Sequence, residues 1–149
     1  MDIISKQKYI FGNLFLLANK LQVIGDQYLS EDDMTIKQWF LTVMILQFGD
    51  NPPTLSKVAE LMGSSRQNVK QLTLKLKEKD FLTMEKDEQD ARATRLKLTE
   101  KSQLFWEKRQ NKDDEFIRNL FIDFSEEETD ILFRGFNKLF KKIKEIENY

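Results

Sequence analysis

Neither cysteine nor histidine occurs among the 149 residues. Without thiols there are no disulfides, no thiolate metal sites, no cysteine nucleophile and no thiol-based redox sensing. Without imidazole, the usual general acid–base group and the common zinc and copper ligands are missing as well. A carboxylate-only metal site stays open, but no motif marks one, so neither metal nor cofactor is expected. Glycine (5) and proline (2) are scarce, which leaves few places where a helix is forced to stop. No stretch approaches ~18 uninterrupted apolar residues, so no transmembrane helix is expected. Asp2, Lys6 and Lys8 interrupt the N-terminus without a cleavage pattern, so no signal peptide is read and the expected location is the cytoplasm. Neither charge sign dominates: 24 Lys and Arg stand against 25 Asp and Glu, net -1. A chain-wide polycation is excluded, and any nucleic-acid binding needs a local basic surface.

What is present suits long, solvated helices around a modest core. Hydrophobic residues make up 40% and charged residues 33%, enough to fold and enough for one domain of this length. Residues 3–28 carry Ile10, Leu14, Leu17, Leu21, Ile24 and Tyr28 at alternating spacings of four and three, a coiled-coil type of helix stripe. Phe11 and Phe15 widen it, and Gly12 and Gly25 read as tolerated interruptions. So wide a stripe requires something to pack against, in this chain or in a second one. Thr35 with Gln38 fits a capping box. The helix that follows should bury Trp39, Phe40, Val43, Met44 and Leu46. Gly49-Asp50-Asn51-Pro52-Pro53 ends it.

Thr54 then caps a short helix carrying Leu55, Val58, Ala59, Leu61 and Met62, and Gly63 closes it. Ser64 and Ser65 are equally good caps for the next helix. There Val69, Leu72 and Leu76 share one face, while Arg66, Gln67, Lys70, Gln71 and Lys75 fall elsewhere on the surface. Short helix, tight turn with Gly, then a helix with a polar outer face is the helix-turn-helix signature. Residues 81–84 and 94–98 read as two short strands, the second alternating Arg95 and Lys97 with Leu96 and Leu98. The charged loop between them makes a hairpin, a wing. Thr99 caps a further helix to about residue 121, whose middle, 107–115, is wholly polar and should be solvated or bridging. Ser125 with Glu128 is another capping box. The last helix carries Leu132, Phe136, Leu139, Ile143 and Ile146, again at spacings of four and three.

The order of elements resembles the MarR family of winged-helix regulators. The specific likeness lies in Asp90-Ala91-Arg92-Ala93-Thr94-Arg95-Leu96-Lys97-Leu98-Thr99, which is similar to the family's Asp-x-Arg followed by Leu-Thr. The run from Thr54-Leu55-Ser56-Lys57 to Ser65-Arg66-Gln67-Asn68 is similar to its helix-turn-helix. Residues 54–102 match without gaps, and the flanking helices match in order and length. Asp80 and Ser102 stand where the family usually has Gly. Asp80 must then adopt the helix-ending conformation itself.

The resemblance implies a mainly α fold with a small β-hairpin wing: a single MarR-like domain over 1–149. Its winged helix-turn-helix DNA-binding module spans about 35–98, and residues 1–30 and 99–149 form dimerisation helices. It implies a homodimeric, sequence-specific regulator of transcription, a repressor, on a pseudo-palindromic operator in double-stranded DNA. The charge distribution agrees. Residues 56–101 hold 11 Lys or Arg and 8 Asp or Glu, with the basic side chains grouped on the second helix and on the hairpin. Ser65, Arg66, Gln67, Asn68, Lys70, Gln71 and Lys75 are the expected contacts of that helix in the major groove. Arg92 is expected in the minor groove, held by Asp90, with Arg95 beside it. Glu85, Asp87, Glu88 and Asp90 make the wing unusually acidic, and each acid would repel phosphate. The family resemblance further implies a small lipophilic or aromatic effector, for which Phe11, Phe15, Trp39, Phe40 and Trp106 are the candidate side chains. An alternative reading is a winged-helix protein-interaction module that has lost DNA binding. An enzyme is not expected: there is no nucleophile motif, phosphate loop or convergent acid–base pair.

Overall fold

A computed structural model describes residues 1–148. Six helices and one hairpin follow in the order α1 (Ile3–Leu29), a 3-10 turn (Ser30–Asp32), α2 (Ile36–Leu46), α3 (Leu55–Met62), α4 (Arg66–Glu78), β1 (Leu82–Lys86), β2 (Thr94–Leu98), α5 (Glu100–Leu120) and α6 (Glu126–Glu147). The chain forms two compact units, Met1–Leu104 and a second beginning at Phe105.

Local chemistry sets most boundaries. Thr35 Oγ1 accepts from the Gln38 N–H (3.2 Å) while Gln38 Oε1 accepts from the Thr35 N–H (3.2 Å), the reciprocal capping box that starts α2. Ser125 and Glu128 start α6 in the same way. Of the two serines before α4, Ser65 is the cap: its hydroxyl accepts from the Asn68 N–H at 3.1 Å. α4 ends in a Schellman turn, with Phe81 N–H donating to the Leu76 carbonyl and Asp80 N–H to the Lys77 carbonyl, both at 3.0 Å. This turn needs a left-handed residue, and Asp80 supplies it at φ 61°. A side chain in that conformation costs roughly 1 kcal/mol that glycine would not. Phe81 and Leu76, the apolar pair that normally closes such a turn, are both buried.

The core of the first unit lies where α2, α3, α4 and the hairpin meet. Leu41 from α2, Val58 from α3, Val69 and Leu76 from α4, and Leu82 and Leu96 from the hairpin are essentially inaccessible. Each stabilises the unit by about 1.5–3 kcal/mol relative to an exposed side chain. The strands pair antiparallel, with Leu82 opposite Leu98 and Lys86 opposite Thr94. β1 therefore extends two residues beyond the expected strand, because its backbone groups find partners on β2 rather than because of any apolar alternation.

Four details differ from the sequence expectation. The inward line of α2 is Gln38, Leu41, Thr42 and Ile45. Trp39, Val43 and Met44 are half-buried, Phe40 is exposed, and Leu46 is 61% exposed. The polar residues tolerate burial because their groups are bonded: Thr42 Oγ1 donates to the Gln38 carbonyl at 2.9 Å, and the Gln38 side chain is held by the capping box. On α3 the inward residues are Leu55, Val58 and Ala59, while Leu61 is exposed. The polar middle of α5 is not wholly solvated. Arg109 is buried, with Asp113 one turn on at 3.3 Å and the Phe105 ring 5.8 Å from its guanidinium carbon.

The fourth concerns Gly25, which is more than a tolerated interruption. It is buried in α1, and a Cβ there would meet Ile36 Cδ1 at 2.8 Å and Cγ1 at 2.9 Å. Next to it, Asp26 Oδ1 accepts from the Ile36 N–H at 2.7 Å. The missing side chain lets the start of α2 seat against α1. Gly12 has open space around its Cα. Gly25→Ala should therefore destabilise by about 1–3 kcal/mol through overpacking. Gly12→Ala should instead stabilise by about 0.5–1 kcal/mol, because only helix propensity changes. Denaturant midpoints of the two variants check the pair; equal effects would disprove the close approach.

Candidate nucleic-acid interface

The turn between α3 and α4 is closed by Gly63 at φ 63°, with Ser64 N–H donating to the Ala59 carbonyl at 3.0 Å. This turn aims α4 so that Val69, Thr73 and Leu76 face the core. Thr73 Oγ1 is satisfied by the Val69 carbonyl at 2.8 Å. With 3.6 residues per turn, the opposite line carries Gln67, Gln71, Leu74 and Glu78. Arg66, Lys70 and Lys77 flank it on one side, Asn68 and Lys75 on the other. All nine are exposed. The structure thus places Arg66, Gln67, Asn68, Lys70, Gln71 and Lys75 together on one solvent face. Ser65 is at its N-terminal edge, with its hydroxyl engaged in the cap.

Leu74 was missed by sequence reasoning. It lies among the inward leucines of α4 by composition, yet it is exposed on the centre line of the outer face. An apolar side chain there suits a thymine methyl group. The signal was its spacing: three residues from Gln71 and seven from Gln67 put it on their line.

Arg92 sits at the tip of the hairpin, its side chain 93% exposed. Asp90 Oδ1 accepts from the Arg92 N–H at 3.0 Å and faces Arg92 Nε at 3.4 Å. Arg95, the other wing residue expected at the DNA, is engaged within the unit. Its Nε contacts Asp87 Oδ1 at 2.6 Å and its Nη1 donates to the Pro52 carbonyl. The guanidinium is spent inside the unit, where it joins β2 to the loop between α2 and α3. The same loop is tied to β2 by the Leu96 N–H to Pro53 carbonyl bond at 2.8 Å and by a bridge between Thr54 and Arg95.

Asp87 is likewise different from a free acid on the wing. Its side chain is only 13% exposed. The hydrogen bond from Arg95 holds its carboxyl below the usual carboxylate value, against the opposing effect of burial. Its charge is matched locally and Asp90 faces Arg92, so the acidity of the wing toward a phosphate backbone rests mainly on Glu85 and Glu88, which are exposed.

The five candidate effector side chains lie on three helices, α1, α2 and α5. Phe11 and Phe15 pack edge to face on α1 with ring centres 5.4 Å apart, and both are exposed. Trp39 and Phe40 lie on α2. Trp106 belongs to the second unit, with its ring 4.8 Å from that of Phe105. A cavity of about 500 Å³ in the first unit is lined by Asp26, Asp33, Gln38, Lys75, Glu78 and Lys79 among others, and by none of the five aromatics. Lys79 Nζ crosses it to the Asp33 carbonyl and to Gln38 Oε1. Among the described residues no cluster of acidic side chains could hold a metal ion, and no helix is long and apolar enough to cross a membrane.

No family model matches the chain, and no curated protein matches it. Solved structures do. The chain has the winged helix-turn-helix fold seen in solved structures of MarR-family regulators. It is similar to the MarR/EmrR family transcriptional regulator from Acinetobacter sp. ADP1 at 22% identity and a TM-score of 0.76, covering 97% of this chain and 99% of that one. It is similar to MepR of S. aureus, solved with DNA, at 21% identity and a TM-score of 0.75, covering 91% and 96%. FabT of Streptococcus pneumoniae, also solved with DNA, gives 23% identity and a TM-score of 0.65, covering 94% and 99%. The mainly α architecture with a two-stranded wing is therefore the MarR architecture along nearly the whole chain.

Proposed function

We propose that this protein is a DNA-binding regulator of transcription that acts as a homodimer. The observation that carries the reading is the outer face of α4, where Arg66, Gln67, Lys70, Gln71 and Lys75 stand exposed. Arg92 at the tip of the wing adds a second contact. A polar helix face with amide and guanidinium groups can read base edges in a major groove. An exposed guanidinium on a hairpin can enter the narrower groove beside it. Two similar folds were solved with DNA, which supports the same use of this one.

Dimerisation is supported by apolar surface. In α1, Ile10, Phe11, Phe15 and Leu17 are exposed; in α6, Phe133, Phe136, Leu139, Phe140 and Ile143 are exposed. Contiguous faces of this kind exceed what a soluble monomer usually shows to water. A second copy covers them and gives two recognition helices for a pseudo-palindromic operator. We further assign it as a repressor released by a small aromatic or lipophilic compound. Phe11, Phe15, Trp39, Phe40 and Trp106 are the side chains available to such a compound, and binding would act by changing the spacing of the two recognition helices.

Titration against a duplex of random sequence at several salt concentrations tests the DNA reading. Binding should weaken by about 10³-fold or more between 50 and 200 mM salt, because counterions released from the phosphates into more concentrated salt gain less entropy. No binding at the lowest salt would instead favour a winged-helix module that pairs with proteins.

A further inference from the structure

The wing carries a continuous polar relay that the DNA contact of Arg92 does not by itself require. It starts at the loop between α2 and α3. The Pro52 carbonyl accepts from Arg95 Nη1, and Arg95 Nε donates to Asp87 Oδ1 at 2.6 Å. The other carboxylate oxygen, Asp87 Oδ2, accepts from the Asp90 N–H at 3.0 Å. Asp90 Oδ1 in turn accepts from both the backbone N–H and the Nε of Arg92. Two backbone bonds close the same loop: Asp87 N–H to the Ala93 carbonyl at 3.0 Å, and Ala93 N–H to the Asp90 carbonyl at 2.9 Å.

We propose that Asp87 and Arg95 are positioning residues, which set the conformation of the wing tip and through it the aim of Arg92. This rests on the DNA-binding reading above. The physical reasons are three. First, hairpin tips are the least constrained part of a wing, because they have no core beneath them. Here the seven residues between the paired strand ends, 87–93, are polar or small, so apolar packing does not hold them. Second, Asp87 is the one wing acid whose two oxygens face different segments, one the strand-borne guanidinium, the other the tip backbone. Third, Arg95 is the only side chain of the relay that reaches outside the hairpin, and its planar fork can serve Asp87 and Pro52 at once, where a lysine ammonium serves one point. The tip is thereby referenced to the loop that leads into α3, the first helix of the helix-turn-helix. Wing and recognition helix then share one frame, which a protein touching two neighbouring grooves needs.

The proposal reverses a sign. If Asp87 is a repelling acid, removing its charge strengthens DNA binding at low salt. If it is a positioning residue, removing its charge weakens binding, because Arg92 loses its aim. Asp87→Asn keeps one acceptor and loses the other together with the charge. Arg95→Lys keeps the charge and loses the fork.

The test uses the full chain and a duplex of about 30 base pairs, enough for two half-sites with flanks, in an A·T-rich and a G·C-rich version. Dissociation constants are measured for the parent, Asp87→Asn, Arg95→Lys, Arg92→Ala and the double variant Asp87→Asn with Arg92→Ala. In parallel, amide hydrogen exchange of residues 87–93 is followed without DNA. Asp87→Asn and Arg95→Lys should each weaken binding about 3- to 30-fold, a usual range for coupled polar groups, most on the A·T-rich duplex. In the Arg92→Ala background, Asp87→Asn should add nothing. The Asp90 and Arg92 amides should exchange faster in both relay variants, while the amides of α4 stay protected. Tighter binding by Asp87→Asn, or an additive loss in the double variant, would overturn the positioning role. So would unchanged exchange at Asp90. If the parent binds neither duplex, the DNA reading fails, and the exchange data still decide whether Asp87 and Arg95 order the tip.

Discussion

Leu139→Asp combined with Ile143→Asp in α6 should leave a folded chain that no longer pairs. The two residues lie one turn apart on the line that also holds Leu132, Phe136 and Ile146, and every one of these side chains is exposed. Among the described residues that line stays open to water, so a carboxylate placed there is solvated in the monomer at little cost. In a dimer it would be driven into an apolar seam, where an unpaired charge costs several kcal/mol. The parent should scatter light as a particle of about twice 17.8 kDa, the variant as a single chain. Circular dichroism should stay helical, because the N-terminal capping box of α6 does not involve these positions. Affinity for a duplex with two half-sites should fall by about 10²-fold or more, since the second module no longer binds at high effective concentration. A parent that is a stable monomer in dilute solution would refute dimerisation. A variant that still dimerises would place the interface elsewhere.

The second large effect is expected on α4. Gln67→Ala or Arg66→Ala should reduce discrimination between a selected operator and random duplex by ~1–3 kcal/mol where the side chain makes a bidentate base contact. Lys75→Ala should weaken binding to both duplexes alike and lower the salt slope by about one. Leu74→Ala belongs to the first group, with its loss confined to operators that place a thymine beneath it. Competition titrations at two salt concentrations separate the groups. If Gln67→Ala and Arg66→Ala bind the operator as the parent does, the outer face of α4 is not the reading surface. Gln67 and Arg66 are the more informative substitutions, because neither is engaged in the Ser65 cap.

The helix-turn-helix was legible because its signals are local. Thr54 and Ser65 cap their helices through hydrogen bonds that span three residues. Gly63 supplies a left-handed turn that its own backbone permits. Even the departure at Asp80 was readable: where the family usually has Gly, the aspartate does take a positive φ. The polar outer line of α4 followed from helix periodicity once Val69 and Leu76 were placed inside.

The misreadings have a common cause. On α2, apolar character pointed to Trp39, Phe40, Val43, Met44 and Leu46, whereas the face against α3 and α4 carries Gln38 and Thr42 with Leu41 and Ile45. Hydrophobicity ranks side chains, but it does not say which side of a helix a neighbour approaches. On the wing, Asp87 and Arg95 looked like two independent surface charges. Eight residues separate them in sequence, and only the strand pairing brings their side chains to 2.6 Å. Gly25 was invisible as a packing site for the same reason, since Ile36 lies eleven positions on and approaches only after the chain turns at Ser30–Asp32.

The sequence by itself therefore determined the order of elements, the caps that start and stop them, the basic outer face of α4 and the exclusion of thiol and imidazole chemistry. These depend on residue identity and on spacings within a few turns. Tertiary structure alone decided which face of α2 is buried, why Gly25 has no side chain, and that Arg95 and Asp87 pair across the wing. Those depend on where distant segments meet, and a contact between two side chains is a property of the folded geometry, not of either residue.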